Sequence, residues 1–264
     1  MVPVTASRPL IRTRGLTRRF GGLTAVDQLD LTVYAGEIYG FLGPNGSGKT
    51  TTIKMLTGLL EPTAGEVVIA GFNVKTQPTR AKAVMAYVPD QPTLYPKLTA
   101  REFLLLMADL YRVPREEARD RCQQLLALFG LADRAEELLE GFSHGMKQKT
   151  VVAAALIHRP QVMILDEPTV GLDPHSARLL KDILQELARQ GVAVFLSTHI
   201  LEIAERMCHR VGILQRGHLI AQGSLAELRA RGRGEGETLE DIFLELTGSA
   251  EEAEVIKGLE EERA

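Results

Sequence analysis

Gly43-Pro44-Asn45-Gly46-Ser47-Gly48-Lys49-Thr50 fits the phosphate-loop pattern GxxxxGK[ST]. Glycines let the backbone wrap until its N–H groups point at phosphate oxygens, and the following helix presents its positive end. In such a loop Lys49 reaches the β- and γ-phosphates and the Thr50 hydroxyl ligates Mg²⁺, with Thr51 beside them on the first helical turn. A second chemical element is Val162-Met163-Ile164-Leu165-Asp166-Glu167, an apolar run that delivers two carboxylates. Asp166 is placed to hold Mg²⁺ through water, as in other phosphate-loop enzymes. Glu167 is placed to orient or deprotonate an attacking water. An apolar strand ending in Asp-Glu is common by itself, and it gains its weight from the loop upstream.

Both groups need a scaffold that delivers them to one place. Short β-like runs alternate with helical ones, which predicts an α/β fold around a parallel sheet. Residues 37–42 read as a buried strand ending at the loop, and residues 49–56 as a helix that Gly58 can terminate. Residues 162–165 and 192–196 read as two more buried strands. Between them, residues 174–189 carry Leu179, Leu180, Ile183, Leu184 and Leu187 at helical spacing, as a crossover between parallel strands requires. The middle third differs. Residues 99–158 are helical in pattern and read as a helical subdomain inserted in the core. Residues 211–215 and 218–222 suggest a hairpin through Arg216-Gly217, and Ser224-Leu225-Ala226-Glu227 matches a capping box. Residues 238–247 read as one more amphipathic helix, residues 231–236 as a flexible joint, and the acidic, apolar-poor final segment as mobile.

Composition excludes several classes of function. A formal net charge of −3 supplies no basic field for nucleic acid. Cys122 and Cys208 form no CxxC or Cys/His cluster and read as reduced thiols of a cytosolic protein. The N-terminus carries scattered arginines but no apolar stretch of signal-peptide length. Apolar runs such as residues 151–157 fall far short of the ~20 residues that cross a bilayer, so a membrane role must come through a partner.

With further segments, these motifs resemble the nucleotide-binding subunit of an ATP-binding-cassette (ABC) transporter, over roughly residues 10–230. Phe142-Ser143-His144-Gly145-Met146-Lys147-Gln148 occupies the place of the family signature, written LSGGQ. Ser143 and Gly145 offer a hydroxyl and a backbone N–H at a helix N-terminus, chemistry that favours a phosphate. The resemblance implies that this segment binds the γ-phosphate of ATP held by an opposite subunit. His144 and Met146 depart from the consensus. Gly171-Leu172-Asp173-Pro174 resembles the D-loop that joins two active sites across a dimer, and His199 the switch histidine on the γ-phosphate. Phe20 matches the aromatic that stacks on adenine, with Val26 packing nearby.

The resemblance also implies a fold: a phosphate-loop NTPase core, mostly parallel sheet with helices and an antiparallel β subdomain, holding an inserted α-helical subdomain. Residues 8–230 are then the ATP-binding domain, with the helical subdomain at about 95–160, and residues 231–264 a C-terminal extension. The implied activity is Mg-dependent ATP hydrolysis powering export through ATP-driven dimerisation, on the cytoplasmic face of the cell membrane. Its partners are a second cassette and a membrane-spanning subunit, with Tyr95, Leu98 and Phe103 as candidate docking residues. A soluble cassette ATPase in translation, repair or cofactor assembly is the alternative. Such relatives usually carry two cassettes or a long coiled coil, and this chain shows neither. An unrelated phosphate-loop kinase or GTPase does not account for Ser143, Asp173 and His199 together.

One position departs from the family with chemical consequence. Tyr87-Val88-Pro89-Asp90 stands where the family has a glutamine that senses Mg²⁺ and water, and Gln91 follows directly. A carboxylate coordinates Mg²⁺ as readily as an amide oxygen, so Asp90 is taken as the ligand and Gln91 as the alternative. Separate alanine substitutions discriminate: Asp90→Ala is expected to cut ATP hydrolysis at least tenfold while Gln91→Ala spares it, and the reverse pattern transfers the role to Gln91.

Overall fold

The computed structural model describes residues 8–230 and 238–248. Its centre is a six-stranded sheet built from β3 (Ile38–Leu42), β6 (Met85–Val88), β7 (Val162–Asp166), β8 (Ala193–Thr198), β9 (Arg210–Gln215) and β10 (His218–Gly223). The order is β10-β9-β3-β8-β7-β6. All neighbours run parallel except the edge hairpin of β9 with β10. Every residue of β3, β7 and β8 is buried, as expected of parallel strands covered on both faces.

Alternation along these strands feeds two cores. Tyr39, Phe41, Ile164 and Phe195 point to one side and Ile38, Leu42, Leu165 and Leu196 to the other. On the first side lies a four-stranded antiparallel sheet, order β2-β1-β4-β5, from β1 (Pro9–Phe20), β2 (Leu23–Tyr34), β4 (Ala64–Ile69) and β5 (Phe72–Asn73). The helix α1 (Lys49–Leu56) shares that core through Ile53, Met55 and Leu56. Phe195 lies 5.1 Å from Phe41 and 5.9 Å from Tyr39, centroid to centroid, where the sheets face each other.

The short α2 (Pro78–Ala83) also keeps to the first core through Ala81. The opposite core holds the later helices: α3 (Ala100–Leu110), α4 (Arg115–Leu128) and α5 (His144–Leu156), all between β6 and β7 in sequence. Thr99 and Glu102 cap α3 reciprocally. The apolar end of α5 is buried against the rest. The helix α6 (Pro174–Arg189) joins β7 to the adjacent β8, with Leu180 and Leu184 buried. α7 (Leu201–Met207), α8 (Leu225–Arg229) and α9 (Leu239–Thr247) complete this layer. The anticipated joint at 231–236 and the final acidic segment lie outside the described residues.

The antiparallel sheet is where sequence reading placed no strands. β1 and β2 each run 12 residues, but register shifts between Thr13 and Leu16 and again near Arg18 break the alternation of apolar and polar residues. The legible signal was the Gly21-Gly22 pair, which turns the chain between the paired residues Phe20 and Leu23 as a two-residue hairpin does.

The carboxylate of Glu37 ties the layers together. It accepts from the backbone N–H of Tyr34 at 2.7 Å and from Arg210 Nη1 at 2.9 Å. Arg210 also lies over the Tyr39 ring, 5.5 Å from its centre. The Glu37 side chain is 8% exposed, so removing it takes the acceptor from the Tyr34 N–H and leaves the Arg210 guanidinium with the Thr32 carbonyl as its remaining acceptor. Glu37→Ala is expected to lower the unfolding free energy by about 2–4 kcal/mol, read from denaturant midpoints at unchanged slope.

Candidate active site

Parallel pairing decides where the chemistry meets. Leu42 is paired with Thr198, Asp166 with Ser197 and Val88 with Leu165. The residues that follow these strand ends therefore emerge at one sheet edge: Gly43, Glu167, His199, and Asp90 after a proline. This is the position where parallel α/β sheets bind ligands. A cavity of about 620 Å³ opens there. Asn45, Gly46, Gly48, Lys49, Thr50, Thr51, Asp90, Asp166, Glu167 and His199 line it, and Phe20 stands at its wall with Leu23, Ala25 and Val170.

The loop between β3 and α1 is held from several sides. Gly48 caps α1 at φ +111°, and a Cβ there would lie 2.5 Å from the carbonyl of Ala25. Lys49 Nζ donates to the carbonyls of Gly43 at 2.6 Å and Pro44 at 3.2 Å. Burial pulls the Lys49 ammonium below its ordinary pKa, and Glu167 and Asp166 oppose that pull. Ser47 is buried, and its hydroxyl has no hydrogen-bond partner among the described residues. Gly43 and Pro44 do not line the cavity. They act through the carbonyls that hold Lys49.

The carboxylates are distinct. Asp166 is buried and accepts a 2.7 Å hydrogen bond from Ser197 Oγ. Burial pushes its pKa up, and Glu167 and Asp90 push the same way. Glu167 sits at φ +48°, an uncommon backbone for a residue with a Cβ, of the kind found at functional sites. Its Oε1 is 2.9 Å from His199 Nδ1, and the His199 backbone N–H donates to Oε2 at 3.4 Å. Neither the Ser197–Asp166 bond nor the Glu167–His199 pair was read from the sequence, since both are made only by the register of β7 with β8.

Asp90 lines this cavity, while Gln91 is exposed and does not. Tyr87, on β6, has its phenol pushed up to about 12 by burial and by the nearby charges of Asp166 and Asp90. Val26 does not line the cavity. It is wholly buried and packs behind Gly48, so it supports the loop, and Ala25 and Leu23 line the wall in its place.

Ser143, His144, Gly145, Met146 and Asp173 do not line the cavity either. Ser143 caps α5, accepting from the Met146 N–H at 3.3 Å, and Ser143 and His144 are exposed. Asp173 caps α6 through the Ser176 N–H at 3.0 Å and also accepts from the Ser176 hydroxyl. Those bonds hold its carboxyl down at about 2. The two exposed segments touch each other. Gly171, at φ +75°, lies so close to the His144 ring that a Cβ would meet its Cδ2 at 2.5 Å.

Residues 26–170 match the model of the family described as ABC transporter. The chain belongs to the ABC transporter family. It is 35% identical over 240 residues to the linearmycin resistance ATP-binding protein LnrL of Bacillus subtilis, covering 91% of this chain and 75% of that protein. A solved ATP-binding subunit of an ABC transporter superposes with a TM-score of 0.86 at 35% identity, over 90% of this chain and 99% of that one. A second, a dimeric ATP-binding cassette in a post-hydrolysis state with ADP and Pi bound, gives 0.75 at 27% identity, over 82% and 99%.

His144 stands where the LSGGQ consensus of the family has a glycine, and its ring packs against Gly171. Gly171→Ala therefore meets both left-handed strain, about 1–2 kcal/mol for an L-residue, and the imidazole. Its hydrolysis rate is expected to fall several-fold, and His144→Gly in the same chain to restore part of it. Phosphate release measures both, and a double variant no faster than Gly171→Ala alone shows that the contact is immaterial.

Proposed function

We propose that the chain is the ATP-hydrolysing, Mg-dependent subunit of an exporter, working as a dimer of cassettes beneath a membrane-spanning subunit. The observation that carries this reading is the division of the site. Asn45, Gly46 and Gly48 to Thr51 of the phosphate loop share one cavity with Asp166, Glu167, His199 and Asp90, whereas Ser143 and Asp173 of the same chain do not line it. A second subunit, itself or a close relative, completes each site by presenting its own signature segment to the γ-phosphate. The superposable dimeric cassette supports that geometry, and the relative named for linearmycin resistance supports export.

The oxygen donors suit Mg²⁺. Thr50, Asp166 and Asp90 line the cavity with hard oxygen donors, and Mg²⁺ takes one or two carboxylates with substrate phosphates and waters. Among the described residues no three His, Cys, Asp or Glu converge as a ready-made metal site, which agrees with binding completed by the nucleotide. When bound, the ion neutralises phosphate charge. Lys49 leaves its carbonyl partners for the β- and γ-phosphates, and the loop N–H groups cradle them. Glu167 orients the attacking water and accepts its proton, with His199 fixing the carboxylate and reaching towards the γ-phosphate. Phe20 stacks on adenine. Hydrolysis removes the phosphate that bridges the subunits, and the dimer opens.

No helix among the described residues is long and apolar enough to cross a membrane, so the proposed location is the inner face of the membrane, through the partner. Of the docking candidates, Tyr95 is 60% exposed and Phe103 is 5% exposed in the core, their rings 6.3 Å apart. Leu98 is half-buried. Tyr95 is thus the contact proposed, with Phe103 as its support.

Glu167→Gln removes the base and keeps the shape. It is expected to slow hydrolysis at least a hundredfold, retain ATP and accumulate as an ATP-bound dimer in gel filtration. A variant that hydrolyses at the parent rate overturns the role given to Glu167.

A further inference from the structure

The wall that carries Phe20 is braced from behind. Phe20 is 45% exposed, and an exposed ring at a strand end has freedom that binding must remove. The guanidinium carbon of Arg18 lies 4.5 Å from the centre of that ring. Arg18 Nη1 donates to the carbonyl of Glu61 at 2.8 Å, and its Nε is buried without a hydrogen-bond partner among the described residues. Phe20 lines the nucleotide cavity and Arg18 does not. The guanidinium thus covers one face of the ring and leaves the other to the cavity.

The anchor of this brace is itself tied down. Glu61 follows α1, the helix whose first turn carries Lys49 and Thr50. The Thr63 N–H donates to the Thr17 carbonyl at 2.8 Å, the Arg19 N–H donates to Thr63 Oγ1 at 3.0 Å, and Lys75 pairs with Glu61 at 2.6 Å. The segment just after α1 is therefore stitched to the end of β1. One continuous span, from the start of α1 through Glu61 to Arg18, relates the phosphate end of the cavity to the ring at its other end.

We propose that Arg18 is a positioning residue for the nucleotide base, holding the Phe20 ring so that a purine stacks on its free face. The arginine, ring and base form a three-layer stack, with the arginine fixed through Glu61. This rests on the reading that Phe20 stacks the base. A planar guanidinium both lies flat on a ring and keeps N–H groups free for a carbonyl, and an ammonium does not do both. The gain is pre-organisation, so it belongs to nucleotide affinity and not to the chemical step.

The test uses the full-length chain, with ATP affinity measured by calorimetry and hydrolysis at saturating ATP. Arg18→Met, which keeps the apolar stem, is expected to weaken ATP binding about three- to tenfold while kcat stays within twofold. Arg18→Lys falls between, and it alone decides if the Met variant does not fold. Phe20→Ala weakens binding by itself, and adding Arg18→Met to it causes no further loss. If Phe20→Ala leaves affinity unchanged, the stacking reading fails and the proposal with it. If Phe20→Ala weakens binding but neither Arg18 variant does, only the proposal is overturned. It is also overturned if Arg18→Met weakens binding equally in the Phe20→Ala chain, or if kcat falls along with affinity.

Discussion

Backbone pairing between parallel strands is the constraint on which the rest of the molecule depends. A parallel ladder forces every connection to cross over the sheet, so the carboxyl ends of β3, β6, β7 and β8 all leave at one edge. Gly43, Asp90, Glu167 and His199 are far apart in sequence and become neighbours through that rule alone. The register is itself set by burial. Tyr39, Phe41 and Phe195 must face the antiparallel sheet while Leu42 and Leu196 face the helices, and a slip by one residue would exchange the two sets.

The assembled edge is electrostatically unbalanced in a useful direction. Asp166, Glu167 and Asp90 crowd together with Lys49 as the cation among them. Oxygen donors of this kind take Mg²⁺ together with substrate phosphates, so the proposed ion and nucleotide fit better together than either does alone. Within the chain these charged groups have partners of their own: Lys49 the carbonyls of its own loop, Asp166 the hydroxyl of Ser197, and Glu167 the ring of His199.

What the sequence revealed of this arrangement follows physical lines. Segments governed by local rules were legible: the buried strands of the parallel sheet, α6 over Pro174–Arg189, the capping box of α8 and α9 beginning after Thr238. The phosphate loop was legible for the same reason, since its glycines report a backbone requirement. The bulged antiparallel strands were not, because bulges erase the period on which strand reading relies. Pairings made by tertiary register, Glu167 with His199 and His144 with Gly171, leave no trace in local pattern. Val26 shows the remaining limit, since adjacency in sequence to a cavity wall does not say which of two alternating faces a side chain takes.

The turn between β9 and β10 adds a consequence for how such chains are extended. The Gly217 N–H donates to the Ser47 carbonyl at 2.8 Å, and the Asp27 N–H donates to the Gly217 carbonyl at 2.9 Å. Two residues earlier, Gln215 Nε2 donates to the carbonyl of Thr247 at 2.5 Å, at the end of α9. The end of α9 is thus joined, through one strand end, to the backbone of the glycine loop at Ser47. A module appended after that helix would therefore start two hydrogen bonds from the glycine loop, with no new interface needed to reach it.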